Sequence, residues 1–315
     1  MRKGSGVAME PEMGVELAGI KLPNPTMLAS GILGVSSEIM IRAARAGAGA
    51  VVTKSFNRSG REGYRNPSFI EVPGGFLNAL GIPNPGMEEM MGEVEALKKA
   101  GVPVIASVFG FDAQEFADAA SIGEKGGATG IELNVSCPHV RELGVEIGQR
   151  PAMVAEVTRA VKDRVKVPVI VKLTPNVTNI QDVASAAEQA GADAITAINT
   201  TLGMAIDVDS ASPILAGTYG GLSGPALHSI AVRAVYQVSE TVKIPVIGVG
   251  GITDWKGAVE MMMAGASVVQ VGTAVMYRGV EVFREITSGV SKFLADNGYH
   301  SVKEITGIAH KPSFH

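Results

Sequence analysis

Eight short apolar runs, rich in Val and Ile, recur along the 315-residue chain. A polar cluster follows each run, and a longer segment with helical periodicity follows each cluster, which is typical of repeated β-strand and α-helix units. Because the runs are almost continuously apolar, we expect strands buried on both faces, as in a parallel sheet covered by helices. We predict the strands at residues 26–30, 50–54, 103–108, 130–135, 168–173, 194–198, 245–249 and 267–271.

Two short phrases recur ahead of these runs and support a repeated unit. Ala-Gly-Ala or Gly-Gly-Ala, which suits the left-handed end of a helix, stands at residues 46–48, 126–128, 190–192 and 264–266. Val/Ile-Pro-Val-Ile, which suits the start of a strand, stands at residues 102–105, 167–170 and 244–247. Eight such units close into an α/β fold, the (β/α)8 or TIM barrel.

The remaining segments concern the two ends of this barrel. Residues 15–17 and 20–22 predict an N-terminal β-hairpin that covers the barrel bottom. Three long βα loops are expected at the C-terminal face, where barrel enzymes build their sites; they span residues 55–86, 136–151 and 199–224. No low-complexity linker divides the chain, so we predict one domain over residues 1–315, with residues 1–13 as a flexible N-terminal extension.

Composition excludes several classes of protein. The net charge of −4 leaves no basic stripe for nucleic acid. The chain also contains no uninterrupted run of about 18 apolar residues, which is the length that a membrane-spanning helix needs. One cysteine, Cys137, excludes an intramolecular disulfide and a four-cysteine cluster within the chain, and it favours a cytoplasmic protein. Charged residues make up 18%, below the usual ~25%, which favours a large core and an oligomer.

Two lysines stand inside or at the end of predicted strands. Lys54 ends the second strand, and Lys172 lies within the fifth. A buried ammonium group loses its hydration, so each lysine is expected to face an anion or an electron-rich ring. The alternative is that both are surface lysines whose stems lie along apolar surface.

Glycine-rich turns follow the last predicted strands. Gly250 and Gly251 follow the seventh strand, Gly272 and Thr273 follow the eighth, and Gly224 ends the long connection after the sixth. In TIM barrels the loops after strands seven and eight commonly bind phosphate. These turns therefore predict a phosphate-bearing cofactor across strands five to eight, although such turns also occur for structural reasons alone.

Three asparagines and the single cysteine complete the candidate site. Asn78, Asn134 and Asn199 come from separate strand ends or loops, and converging amides suit a heterocycle with alternating C=O and N–H groups; singly, each would be an ordinary turn former. Cys137 follows the fourth strand without a peptidase signature, so we favour a thiolate base that removes a C–H proton. A buried, inert cysteine is the alternative.

In order along the chain, these motifs resemble class 1B dihydroorotate dehydrogenase, the flavin-bearing catalytic subunit, from about residue 15 to residue 310. The motifs are Asn24-Pro-Thr-Met-Leu-Ala-Ser-Gly31, Val52-Thr-Lys-Ser55, Leu77-Asn-Ala-Leu-Gly-Ile-Pro-Asn-Pro-Gly86, Glu132-Leu-Asn-Val-Ser-Cys-Pro138, Val171-Lys-Leu-Thr-Pro-Asn176, Ile198-Asn-Thr200, Gly220-Gly-Leu-Ser-Gly-Pro-Ala226, Gly248-Val-Gly-Gly251 and Val271-Gly-Thr273.

The resemblance implies one FMN per chain, no metal ion, and two overlapping sets of site residues. Cys137 would be the catalytic base and Lys172 a catalytic cation beside the flavin. The cofactor-binding residues would be Ala29, Ser30, Lys54, Ser55, Asn134, Lys172, Gly224, Gly250, Gly251, Gly272 and Thr273. The substrate-binding residues would be Lys54, Asn78, Leu80, Gly81, Ile82, Asn134, Asn199 and Thr200.

The implied activity is oxidation of (S)-dihydroorotate to orotate in de novo UMP synthesis, with hydride passing to flavin N5. A homodimer paired with an FAD and [2Fe-2S] electron-transfer subunit, a heterotetramer, would pass electrons to NAD+. His139 departs from the family, because many relatives carry a substrate-binding Asn there.

Several alternatives remain open. One is uracil or thymine reduction, since dihydropyrimidine dehydrogenase shares Ser-Cys-Pro-His. Another is a self-sufficient, fumarate-using dihydroorotate dehydrogenase. A tRNA dihydrouridine synthase should carry a basic extension that this chain lacks, and a non-catalytic flavin-binding module would not need Cys137.

Overall fold

The computed structural model describes residues 10–136 and 147–311. The strands in these ranges are β1 (Val15–Leu17), β2 (Ile20–Leu22), β3 (Thr26–Leu28), β4 (Ala50–Val52), β5 (Phe69–Val72), β6 (Gly75–Asn78), β7 (Val104–Val108), β8 (Gly130–Asn134), β9 (Val169–Leu173), β10 (Ala194–Ala197), β11 (Thr201–Gly203), β12 (Ile206–Asp207), β13 (Ser212–Pro213), β14 (Gly220–Ser223), β15 (Val246–Val249) and β16 (Ala266–Val271). The helices are α1 (Ser37–Arg45), α2 (Met87–Lys99), α3 (Ala113–Gly126), α4 (Pro151–Lys162), α5 (Ile180–Gln189), α6 (His228–Thr241), α7 (Trp255–Met263), α8 (Ala274–Arg278), α9 (Val282–Asp296) and α10 (Val302–Ile305).

Eight parallel strands close into a barrel in the order β3-β4-β7-β8-β9-β10-β15-β16. The predicted TIM barrel and its eight strands are confirmed, with small differences at the ends. For example, β4 ends at Val52 rather than at Lys54, because the Lys54 N–H donates to the Gly34 carbonyl at 2.7 Å instead of continuing the ladder. Lys54 therefore lies at the barrel mouth, just beyond its strand.

The barrel interior is apolar in its lower part, and the predicted hairpin β1-β2 is confirmed as its lower cover. Leu17, Ile20 and Leu22 of the hairpin belong to the same buried cluster as the interior side chains. Those interior side chains are Met27, Ala50, Val52, Ile105, Ile170, Ala194, Ile247 and Val268. Burial of a complete apolar layer from both the strands and the hairpin stabilises the lower end of the barrel.

The helices surround the barrel, and local signals set their ends. Asp112, Asn179 and Asp254 each accept a backbone N–H as N-caps of α3, α5 and α7. The predicted glycine ends are also present, since Gly127 is the left-handed C-cap of α3 and Gly191 follows α5 with a φ of 95°. Within the described ranges, none of the helices combines the length and apolar character needed to cross a membrane.

A second, antiparallel sheet forms from two of the long connections, in the order β11-β14-β6-β5. The sequence pattern predicts loops at both segments, and the short strands within them correct that prediction, because the sheet they form depends on pairing between distant parts of the chain. The two connections are held together by the antiparallel pairing of β6 with β14, in which Asn78 lies opposite Gly221. This sheet brings the loop residues after β4 next to those after β10, and so builds one wall above the barrel mouth.

Before the hairpin begins, the N-terminal segment contacts the connection between α9 and α10. Residues 1–9 of the predicted extension lie outside the described ranges. The Glu12 N–H donates to the His300 carbonyl at 2.8 Å.

Candidate active site

A cleft of about 930 Å³, including its open mouth, lies at the carboxyl ends of the barrel strands. Its lining residues are Ser30, Gly31, Ile32, Lys54, Ser55, Phe69, Asn78, Leu80, Gly81, Ile82, Asn134, Ser136, Lys172, Asn199, Thr200 and Ser223. The cleft therefore brings together every predicted substrate-binding residue and five of the eleven predicted cofactor-binding residues, namely Ser30, Lys54, Ser55, Asn134 and Lys172.

A chain of hydrogen bonds crosses the cleft floor. Ser107 and Ser55 share a hydrogen bond of 2.8 Å between their hydroxyls, and the Asn134 amide donates to the Ser55 hydroxyl at 3.1 Å. The Asn199 amide then donates to the Asn134 carbonyl oxygen at 3.1 Å. These bonds fix the orientation of both amides, so the remaining donor and acceptor positions are presented in a defined pattern.

Asn78 is held on the wall of the same cleft. It is the last residue of β6, and its amide donates to the Gly221 carbonyl at 3.1 Å. The three predicted asparagines thus come from three separate elements to one cavity.

Lys54 supplies a cation that the protein leaves poorly solvated. Desolvation by burial lowers the pKa of Lys54 from its ordinary value of 10.5. Among the described residues, its ammonium group has neither an ion pair nor a hydrogen bond. An anionic group in the cleft would provide the missing partner, which supports the sequence interpretation of this lysine.

Lys172 is the cation of the cleft floor, and it is almost completely buried. Its ammonium donates to the Gln270 side-chain oxygen at 3.1 Å and lies 3.5 Å from a Glu132 carboxylate oxygen. Both partners point into the barrel, Glu132 from the neighbouring strand β8 and Gln270 from β16, three strands away around the barrel. The alternative that Lys172 is a surface lysine is therefore excluded, since only 6% of the residue is exposed.

The predicted glycine turns meet beside the cleft as a wall of backbone. A Cβ at Gly251 would come 2.8 Å from the Gly224 carbonyl oxygen, and a Cβ at Gly224 would lie 3.5 Å from Cγ2 of Thr273. A Cβ at Gly272 would lie 3.4 Å from Cβ of Ala29, next to Ser30 of the cleft. These contacts place the turns side by side at the strand ends, where TIM barrels commonly bind a phosphate through backbone N–H groups.

The substrate side of the cleft carries backbone in the left-handed region. Gly81 has a φ of 74° and Ile82 a φ of 53°. For a β-branched residue such as Ile82 this conformation is strained, and strain of this kind clusters at ligand sites. The Arg61 side chain supports the segment by donating to the Gly81 carbonyl at 2.9 Å.

Some site residues were not predicted from the sequence. Phe69 lines the cleft and stacks on Phe76 with ring centroids 4.8 Å apart. Its signal was the short apolar segment before Gly74, which reads as a hairpin strand. Glu132 was also missed, although a carboxylate inside an apolar strand is as unusual as a lysine there. Cys137 lies outside the described residues, directly after Ser136 of the cleft.

These features fit a flavin mononucleotide. The floor of amides with one buried cation suits a flat, electron-accepting heterocycle, and the glycine wall suits a phosphate. Within the described ranges, no three His, Cys, Asp or Glu side chains are grouped to hold a metal ion. Fold and cleft together define a class, the cofactor-dependent TIM-barrel oxidoreductases.

Comparison with known proteins narrows this class to one family. The family model described as dihydroorotate dehydrogenase matches residues 12–294. Three relatives are each named "Dihydroorotate dehydrogenase B (NAD(+)), catalytic subunit". The Pyrococcus abyssi protein is 52% identical over 94% of this chain and 99% of its own length. The Methanosarcina mazei protein is 51% identical over 94% of each chain. The Methanothermobacter thermautotrophicus protein is 50% identical over 93% of this chain and 97% of its own length. The chain belongs to the dihydroorotate dehydrogenase family.

Proposed function

We propose that this chain is the FMN-binding catalytic subunit of a dihydroorotate dehydrogenase, which oxidises (S)-dihydroorotate to orotate in UMP synthesis. The observation that carries the proposal is the cleft itself, in which a poorly solvated Lys54 faces the same cavity as three fixed asparagines and Lys172. The names of the relatives support the same reaction.

The residues that would hold FMN form two groups. Lys172 and Asn134 lie on the cleft floor, where they would contact the flavin ring together with Ala29, Ser30, Lys54 and Ser55. Gly224, Gly250, Gly251, Gly272 and Thr273 form the backbone wall that would hold the phosphate. When bound, FMN supplies the acceptor for two electrons, which arrive together as a hydride. Lys172 would stabilise negative charge on the reduced ring.

The substrate matches the polar groups that remain. Dihydroorotate carries a carboxylate on C6 and a ring of alternating carbonyl and N–H groups. Lys54 would provide positive charge for the anionic substrate, and the amides of Asn78, Asn134 and Asn199 would pair with the ring edge. Leu80, Gly81, Ile82 and Thr200 would complete the substrate wall.

The proposed base is Cys137, which lies outside the described residues. Its thiolate would take the C5 proton as the C6 hydrogen leaves with its electron pair, so a C5=C6 double bond forms and orotate results. Its neighbour Ser136 is 5% exposed and donates to the Lys172 carbonyl at 3.2 Å. This contact ties the start of the Cys137 segment to the strand that carries the floor cation.

The electrons must then leave the chain. One cysteine is too few for a four-cysteine cluster, and the relatives are named as catalytic subunits of NAD+-linked enzymes. We therefore propose a cytoplasmic heterotetramer, in which a homodimer of this single-domain chain pairs with an electron-transfer subunit that carries FAD and [2Fe-2S].

An anaerobic titration tests the function. FMN-loaded chain is mixed with dihydroorotate, and the visible flavin absorbance should bleach in a single turnover. Dihydrouracil serves as the matched control because it lacks only the carboxylate, and it should leave the flavin oxidised. Bleaching by dihydrouracil at the same rate would contradict the proposal and favour pyrimidine reduction.

A second assay tests the partner. The purified chain with dihydroorotate should reduce NAD+ only when the electron-transfer subunit is added. Rapid NAD+ reduction by the chain alone would contradict the partner requirement, and rapid fumarate turnover would favour a self-sufficient enzyme.

A further inference from the structure

A polar cluster lies beneath the cleft floor, above the apolar layer of the barrel interior. It consists of Glu132 on β8, Lys172 on β9, Thr196 on β10 and Gln270 on β16. Glu132 and Thr196 are fully buried, and Gln270 is 1% exposed. A carboxylate in this position is costly to bury, so its partners decide what it does.

The Glu132 carboxylate accepts from three directions. Gln270 donates to one carboxylate oxygen at 2.7 Å, and Thr196 donates to the same oxygen at 3.1 Å. The other oxygen faces the Lys172 ammonium at 3.5 Å. Gln270 closes the cluster, because its side-chain oxygen accepts from Lys172 at 3.1 Å.

This arrangement does two things to Lys172. The two acceptors hold its ammonium group at one place under the cleft, and the negative charge of Glu132 offsets part of its positive charge. Both effects act at short range in a region of low dielectric, where a unit charge has a large influence. The stability of the barrel does not by itself require such a cluster. Replacing a buried ion pair by apolar side chains of similar volume often leaves the free energy of unfolding unchanged or raises it.

We infer that Glu132 is a positioning residue that acts through Lys172 and sets the reduction potential of the bound flavin. Its carboxylate limits the positive charge that the cleft presents to the flavin ring. The inference rests on the proposed FMN site. Reduced flavin carries negative charge, so a stronger cation beneath the ring would favour the reduced form.

The test is the reduction potential of the FMN-loaded Glu132→Gln variant, measured anaerobically against a reference dye. The substitution keeps the shape of the side chain and removes its charge. We expect the equilibrium constant between reduced and oxidised FMN to favour the reduced form by about tenfold more than in the wild type. For a two-electron couple this corresponds to a reduction potential that is more positive by about 30 mV. Glu156→Gln, which removes an exposed charge on α4, is the matched control and should leave the potential unchanged.

A second comparison asks whether the effect passes through Lys172. The shift caused by Glu132→Gln should disappear when it is measured in a Lys172→Met background. An equal shift in both backgrounds would overturn the inference, as would an unchanged or lowered potential in the single variant. If Glu132→Gln does not fold, Glu132→Asp replaces it in the same comparison. Its shorter side chain moves the carboxylate away from Lys172, so the reduction potential should again become more positive, by a smaller amount, and the shift should again disappear in the Lys172→Met background.

The outcome is separable from that of the proposed function. A wild-type chain that retains no FMN would refute the flavin site. A flavin-loaded wild type whose potential equals that of Glu132→Gln would refute only the role of Glu132.

Discussion

The Asn199 amide donates to the Asn134 carbonyl oxygen at 3.1 Å, although the two residues lie 65 positions apart in the chain. The contact joins the carboxyl ends of β8 and β10 across the strand that carries Lys172. The Asn134 oxygen also accepts from the Ser136 N–H at 3.3 Å, and its amide nitrogen donates to Ser55. Among the described contacts, this leaves Asn134 one N–H for a ligand. The pair therefore defines the hydrogen-bonding pattern of the cleft.

Asn199→Asp should weaken orotate binding by about tenfold or more. The new carboxylate would replace a donor by an acceptor against Asn134, and it would place negative charge beside an anionic ligand. Isothermal titration of the FMN-loaded variant with orotate measures the change. Asn179→Asp is the matched control, because Asn179 caps α5 and Asp caps equally well. Equal orotate affinity in Asn199→Asp and wild type would contradict the assignment.

Lys54→Met should stabilise the flavin-free chain at neutral pH and weaken orotate binding to the loaded chain. Burial lowers the Lys54 pKa, so the unfolded chain binds more protons than the folded chain between that lowered pKa and 10.5. Wild-type stability therefore rises with pH in this window, and the advantage of the variant should shrink there. Thermal melting across the pH range measures both trends.

The control for this experiment is Lys166→Met, which changes an exposed lysine. Its melting temperature should follow that of the wild type at each pH. A constant difference between Lys54→Met and wild type up to pH 10.5 would show that the Lys54 ammonium is not desolvated.

Gly81→Ala should destabilise the fold by about 1–3 kcal/mol and weaken orotate binding. Gly81 has a positive φ, and a Cβ there would come 2.9 Å from the backbone nitrogen of Tyr64. Denaturant unfolding measures the free energy. In contrast, Gly92→Ala on α2 meets nothing within 4 Å and should stabilise by about 1 kcal/mol through helix propensity. Similar effects from the two substitutions would disprove the close approach at Gly81.

Cys137→Ser should retain FMN but reduce it slowly with dihydroorotate near neutral pH. A hydroxyl is a far weaker base than a thiol, whose reference pKa is about 8.5. The rate should recover as pH rises, and stopped-flow absorbance in single turnover measures it. A variant as fast as the wild type would remove Cys137 from the role of base.

Much of the fold follows from the sequence alone, because the barrel strands are local patterns. An apolar run that ends in a turn, such as the one leading to Lys54, marks a buried strand without reference to any other segment. The same reasoning singles out Lys172, since an ammonium within an apolar strand signals a partner or a ligand. The hairpin and the glycine helix ends are equally local.

Only the tertiary structure decided which of these features act together. Asn78 and Gly221 pair across two long connections, and neither segment shows in its own sequence that it will find the other. Glu132, Lys172 and Gln270 form one cluster because the closed barrel sets the register of β8, β9 and β16. Alternation along a strand determines which side chains point inward, but the level at which they meet depends on strand order and stagger around the whole barrel.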